Sequence, residues 1–132
     1  SMDNLDWTDR AAVVAHRSAM FGILAGTTYP FDAEEGEALF GAEFDRANNI
    51  ASGGNHCICI GTTEPWAHRL GEINLPTLVI HGTADPILPL DHGQALAAGI
   101  PGAKMLELEG AGHDIPDALL DTIVPAIFEH TA

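Results

Sequence analysis

The stretch Leu75-Pro-Thr-Leu-Val-Ile-His-Gly-Thr-Ala-Asp-Pro-Ile-Leu-Pro89 decides how this sequence folds. Thr77 to His81 is a continuous apolar run between Pro76 and Gly82, with turn signals at both ends. A strand buried on both faces of a parallel sheet reads this way, because helices cover it above and below. The turn Gly82-Thr-Ala-Asp-Pro86 follows. Asp91 to Ala98 reads as a short helix stopped by Gly99, and Lys104 to Glu109 as a second strand. That strand alternates Leu106 and Leu108 with Glu107, the pattern of an edge position. After the loop Gly110-Ala-Gly-His113, residues 117–130 carry apolar side chains at helical spacing, with Pro125 expected to kink the helix or delay its start. Residues 73–132 are therefore expected to form a β-α-β-α unit whose two strands run parallel. Two strands are too few for a stable sheet, so the sheet reads as incomplete.

Upstream, residues 1–72 read as helical. Arg10 to Ala25 has rows of apolar residues three and four apart, a cap at Asp6 or Thr8 and a stop at Gly26. Asp32 with Glu35 has capping-box spacing and opens a second helix carrying Phe40, Phe44 and Ala47. Residues 51–56 read as a loop by composition, 57–60 as an apolar run of undecided type, and Pro65 to Leu70 as a short helix.

Composition excludes several function classes. The 132 residues carry 19 acidic and 5 scattered basic side chains, a net charge of −14, so no surface can neutralise phosphates and nucleic acid is not an expected partner. Anionic membrane surfaces are disfavoured for the same reason, and no apolar run is long enough to cross a bilayer. The cysteines, Cys57 and Cys59, are two apart and on a strand would face opposite ways, so no disulfide and a reduced, cytoplasmic setting are expected. The seven histidines show no metal-ligand spacing on a helix. No metal and no cofactor are expected.

Two polar residues carry the chemistry. Asp85 follows the first strand and His113 the second, so parallel strands put both at one carboxyl edge, where open α/β sheets place ligands. A carboxylate beside a histidine fixes the imidazole tautomer and stabilises the imidazolium formed when it takes a proton. Asp85 alone could be a turn residue, since Asp-Pro often starts a turn.

Residues 75–89 followed by Leu-Glu-Leu-Glu-Gly-Ala-Gly-His (106–113) resemble the C-terminal signature of the α/β-hydrolase superfamily. In that signature the aspartate of D-P-x-x-P is the triad acid and the histidine of G-x-G-H is the base. The separation of 28 residues fits, as does the order acid then histidine. The resemblance implies those roles for Asp85 and His113. Arg46 to His56 (RANNIASGGNH) and His92 to Pro116 resemble the aclacinomycin methylesterase branch, which makes residues 1–72 part of a lid. His56 and Trp66 are then weak candidates to line the substrate pocket.

One element of the family pattern is absent. The nucleophile of the family stands in G-x-S-x-G, and none of the three serines, Ser1, Ser18 and Ser52, lies in that motif. The reading is thus the C-terminal part of a serine hydrolase of ester-like bonds, acting on a small molecule only when an N-terminal half completes it. The alternatives are a non-catalytic interaction module and part of a cofactor-free haloperoxidase-like relative. An uncovered strand edge and apolar face further imply self-association.

Overall fold

The structure is a computed structural model describing residues 5–62 and 64–132; the side chains of residues 56–58 lie outside that description. The chain divides into two compact units, one of residues 1–22 and 31–64 and the other of residues 23–30 and 65–132.

The first unit is helical. Helix α1 spans Arg10–Leu24, its last residues belonging to the second unit, and α2 spans Ala33–Arg46. Asp9 caps α1: its side chain accepts from Ala12 N–H at 3.1 Å. Asp6, one of the two caps expected, instead accepts from the backbone and hydroxyl of Thr8 at 2.9 and 2.7 Å. Those bonds order the approach to the helix, leaving the capping position to the residue adjacent to it. Asp32 caps α2 as expected, accepting from Glu34 N–H at 2.7 Å and Glu35 N–H at 3.3 Å. Phe40 is 2% exposed and meets the rings of Phe21 at 4.7 Å and Phe31 at 6.0 Å. Arg17 caps this aromatic cluster, its guanidinium 5.1 Å from the Phe40 ring centre.

The segment read as a loop is not one. Ile50–Gly54 is a 3-10 turn, and Asn55–Gly61 is a short helix, α3. Ser52 closes the turn with its backbone N–H and its hydroxyl on the Asn49 carbonyl. Glycine and asparagine, read as loop formers, here lead into a helix; the strand geometry assumed for Cys57 and Cys59 is likewise replaced by a helical one. Cys59 is free and exposed.

The second unit holds the sheet. Strands β1 (Leu78–Gly82) and β2 (Lys104–Leu108) pair in parallel, Leu78 against Lys104 through Gly82 against Leu108. Helix α4 (Leu90–Gly99) connects them, and α5 (Leu120–Thr131) closes the chain, containing Pro125. Its start at Leu120 follows a 3-10 turn over Asp117–Leu119. A further 3-10 turn, Ala67–Glu72, stands where a helix opening at Pro65 was expected. Leu108, Ala111 and Ile123 form the buried centre, with Tyr29, Ile80, Leu106 and Leu119 packed against it. The residues of β1 before Gly82 are only half-buried, and among the described residues the sheet has two strands. No helix among the described residues is long and apolar enough to cross a membrane.

Candidate active site

The register places the carboxyl ends of β1 and β2 side by side, and the turns leaving them are bonded together. Thr83 N–H donates to Leu108 O at 3.0 Å, Ala84 N–H to Ala111 O at 2.9 Å, and Gly110 N–H to the Thr83 hydroxyl at 2.8 Å. Asp85 and His113 emerge from these stitched turns.

Pro86 cannot donate and fixes its own φ, so the chain bends immediately after Asp85. The next two N–H groups come back onto the carboxylate: Ile87 donates to Asp85 Oδ1 at 2.8 Å and Leu88 at 2.9 Å. Oδ1 is thereby fixed, and Oδ2 stands 2.8 Å from His113 Nδ1. Only 4% of the Asp85 side chain is exposed, against 38% of His113. Burial pushes the Asp85 pKa up. The hydrogen bonds from Leu88, His113 and Ile87 outweigh it and hold the group below its ordinary 3.8. An ionised carboxylate only accepts, so His113 Nδ1 carries a proton and donates it, and in the neutral imidazole Nε2 holds the lone pair. That is the state of a base.

The backbone of His113 is held by the end of α1. Its N–H donates to Leu24 O at 2.7 Å, and Gly112 N–H to Ala25 O at 3.1 Å. The last carbonyls of a helix lack partners within it, and the G-A-G-H loop supplies two. The second glycine of that loop is required by this approach, since a Cβ on Gly112 would collide with the Leu24 carbonyl. Sequence reading missed this support entirely; Gly26, which forms an antiparallel bridge with Ala111, was its only local trace.

A recess of ≈250 Å³ opens beside the pair, lined by Ile80, His81, Leu88, Leu108, Asp114 and Ile115 among others. It is small and largely apolar, with the acid and the base on its wall. Trp66 does not line it. That side chain is exposed, lies under the Arg69 guanidinium at 5.3 Å, and borders a separate recess with Leu70 and Ile73. The side chain of His56 lies outside the described residues. Among the described residues no three histidine, cysteine, aspartate or glutamate side chains converge to hold a metal ion.

Parallel strands carrying an aspartate and a histidine on adjoining carboxyl-end turns bring a hydrogen-bonded carboxylate–imidazole pair to one edge of an α/β sheet. Comparison with known proteins gives the family: residues 3–117 match the alpha/beta hydrolase fold, and the chain belongs to that family. It is 32% identical to a rhodomycin D methylesterase of Streptomyces peucetius over 132 aligned residues, covering 90% of this chain and 40% of the relative. The likeness to the methylesterase branch therefore extends over most of the sequence. Among solved structures, the bromoperoxidase of Bacillus anthracis superposes with a TM-score of 0.64 at 21% identity, covering 94% of this chain and 44% of that one. An esterase from Exiguobacterium antarcticum superposes with a TM-score of 0.61 at 18% identity, covering 94% and 48%. At those identities the structures show a shared fold. The chain spans less than half the length of these relatives.

Proposed function

We propose that this chain supplies the acid and the base of a serine hydrolase acting on esters, with residues 1–72 forming part of its lid. The observation that carries the reading is the Asp85–His113 pair: a buried, ionised carboxylate 2.8 Å from Nδ1 of a partly exposed imidazole. In this reading a serine supplied from outside these 132 residues attacks the ester carbonyl. His113 Nε2 accepts the serine proton, and Asp85 stabilises the resulting imidazolium. The imidazolium then protonates the departing alkoxide. In the second half His113 takes a proton from water as its oxygen attacks the acyl carbonyl; the bond to the serine oxygen then breaks, the imidazolium returns the proton to that oxygen, and the acid is released. The likeness to a methylesterase supports a methyl ester as the bond cleaved. A reduced, cytoplasmic setting belongs to the same reading.

The G-x-S-x-G motif is absent from the sequence. The test is to assay the chain alone, and then any assembly that adds a nucleophile, with an activated short-chain ester and a serine-directed phosphonate. Alone, the chain is expected to hydrolyse no faster than free imidazole and to take up no phosphonate. With a nucleophile present, His113→Ala and Asp85→Ala should each abolish turnover. Saturable, phosphonate-sensitive hydrolysis by the chain alone would overturn the assignment. The non-catalytic alternative, a small interaction module, is supported by the same missing motif and predicts no turnover in any assembly.

A further inference from the structure

We propose that His81 is a positioning residue for Asp85, holding from behind the loop that presents the carboxylate to His113. The inference rests on the reading of Asp85 as the acid that orients His113. His81 sits near the end of β1, anchored by the strand pairing, and its side chain is 10% exposed. Its Nε2 lies 2.8 Å from Leu88 O. A carbonyl only accepts, so this nitrogen carries the proton and donates. Leu88 is thus gripped twice: its N–H by Asp85 Oδ1 and its C=O by His81. The loop 85–89 cannot rotate without breaking one of these bonds. His81 Nε2 is also 3.7 Å from Asp85 Oδ2, too far for a hydrogen bond. It therefore leaves Oδ2 to His113.

A second observation shows that the fold makes room for this ring. Gly93 lies inside α4, where glycine is disfavoured relative to alanine. A Cβ on Gly93 would stand 2.7 Å from His81 Nδ1 and 2.8 Å from Cγ, so the helix passes over the imidazole only because position 93 has no side chain.

The test reads the His113 Nδ1 proton by low-field NMR, assigned by its loss in His113→Asn, with the tautomer checked by nitrogen-15 shifts. Asp85→Asn tests the underlying pair and should remove the resonance. His81→Leu, which keeps bulk but cannot donate, should speed exchange of that proton about tenfold, as loss of one hydrogen bond allows. His81→Gln places an amide N–H at the position of Nε2 and should restore exchange to near the parent rate. A purely packing role would not distinguish Leu from Gln in this way. Gly93→Ala displaces the ring without removing it and should resemble His81→Leu, which keeps the proposal testable if His81→Leu does not fold. Unchanged exchange in His81→Leu or Gly93→Ala, with the resonance still lost in Asp85→Asn, overturns the role of His81. Persistence of the resonance in Asp85→Asn overturns the acid–histidine reading itself.

Discussion

The two units use charge in opposite ways. In the helical unit, Arg10 reaches Asp45 through two hydrogen bonds of 2.8 and 2.9 Å, yet both side chains are at least half exposed. Water and salt compete for such a pair, and its contribution is small. The apolar side chains hold that unit, chiefly the cluster around Phe40. In the sheet unit, the one carboxylate that matters is almost wholly buried, and backbone N–H groups and a histidine satisfy it. Burying a charge is costly, so it persists only where the surrounding chain supplies its partners. The comparison teaches where function can reside: a pair that can swing in water aligns nothing, whereas a carboxylate fixed on one oxygen presents the other in a constant direction.

The largest effect should come from removing the apolar support of the helical unit. Phe40→Ala deletes a fully buried ring among Phe21, Phe31 and the Arg17 guanidinium. Such truncations cost about 3–5 kcal/mol. Trp7, partly buried in this unit, reports the loss through denaturant unfolding followed by fluorescence in a Trp66→Phe background. A cost below that of any ion-pair variant would break the claim that apolar packing holds this unit.

Asp85→Asn should come next. The amide oxygen can still accept from Ile87 and Leu88, but an N–H group replaces the Oδ2 acceptor facing His113. Loss of a buried, charge-assisted hydrogen bond costs about 1–3 kcal/mol. The pH dependence follows from the lowered carboxyl pKa of Asp85. Its contribution is fully present above the unfolded carboxylate value, about 3.9. It is lost as pH falls through the lower folded value, where the native carboxylate takes up its proton. Parent and variant stabilities measured at pH 7 and at successively lower pH should therefore converge in strongly acid solution. A gap that widens on acidification would mean that Asp85 does not titrate as a stabilised carboxylate.

How much of this was legible beforehand follows from the range of each signal. Asp85 and His113 announced themselves because the D-P and G-x-G-H turns are local patterns, each fixed by the residues adjoining a strand. The parallel pairing that brings them together followed from two strands joined by a helix. The Leu24 and Ala25 carbonyls that hold the His113 loop could not be read, because they act through backbone and come from almost ninety residues earlier. His81 read as an ordinary strand end, since its partner carbonyl is created only by the fold of 85–88. Residues 51–56 misled for a different reason. Gly53, Gly54 and Asn55 are common in loops and at helix starts alike, and the closing contacts at Asn49 are invisible in composition.

A third prediction concerns α5. Ile123 faces the core, but Leu120, Val124, Ile127 and Phe128 are exposed along one side, Phe128 by 71%. Apolar area left in water costs roughly 25 cal/mol per Å². The proposed relief is self-association through this stripe, with a net charge of −14 opposing it. Light scattering should show a mass that rises with concentration and with salt, since screening weakens the repulsion. Val124→Glu with Phe128→Glu should return the chain to a monomer. A monomeric parent at high concentration and high salt would remove this stripe as a homotypic surface.

The smallest effect, and the sharpest test of the contrast between the units, is expected from Asp45→Asn. Asp45 is held below its ordinary carboxyl pKa by its hydrogen bond from Arg10, the same direction as Asp85. On titration direction alone the two aspartates would seem alike. Their surroundings separate them. Asp45 is more than half exposed, so its lost partner is replaced by water, and the charge of Arg10 remains hydrated. Asp45→Asn should shift the unfolding midpoint only slightly at low salt. The shift should vanish near 1 M salt, where the Debye length is about 3 Å. The Asp85→Asn shift should survive the same salt, because solvent ions cannot enter a site so nearly closed. Acid should erase the Asp45 effect too, since its contribution is present above the unfolded pKa and lost below the folded one. Salt is therefore the discriminating variable and pH is not. If both variants respond to salt equally, the distinction between an exposed pair and a built carboxylate site fails, and with it the reason for placing the chemistry at Asp85.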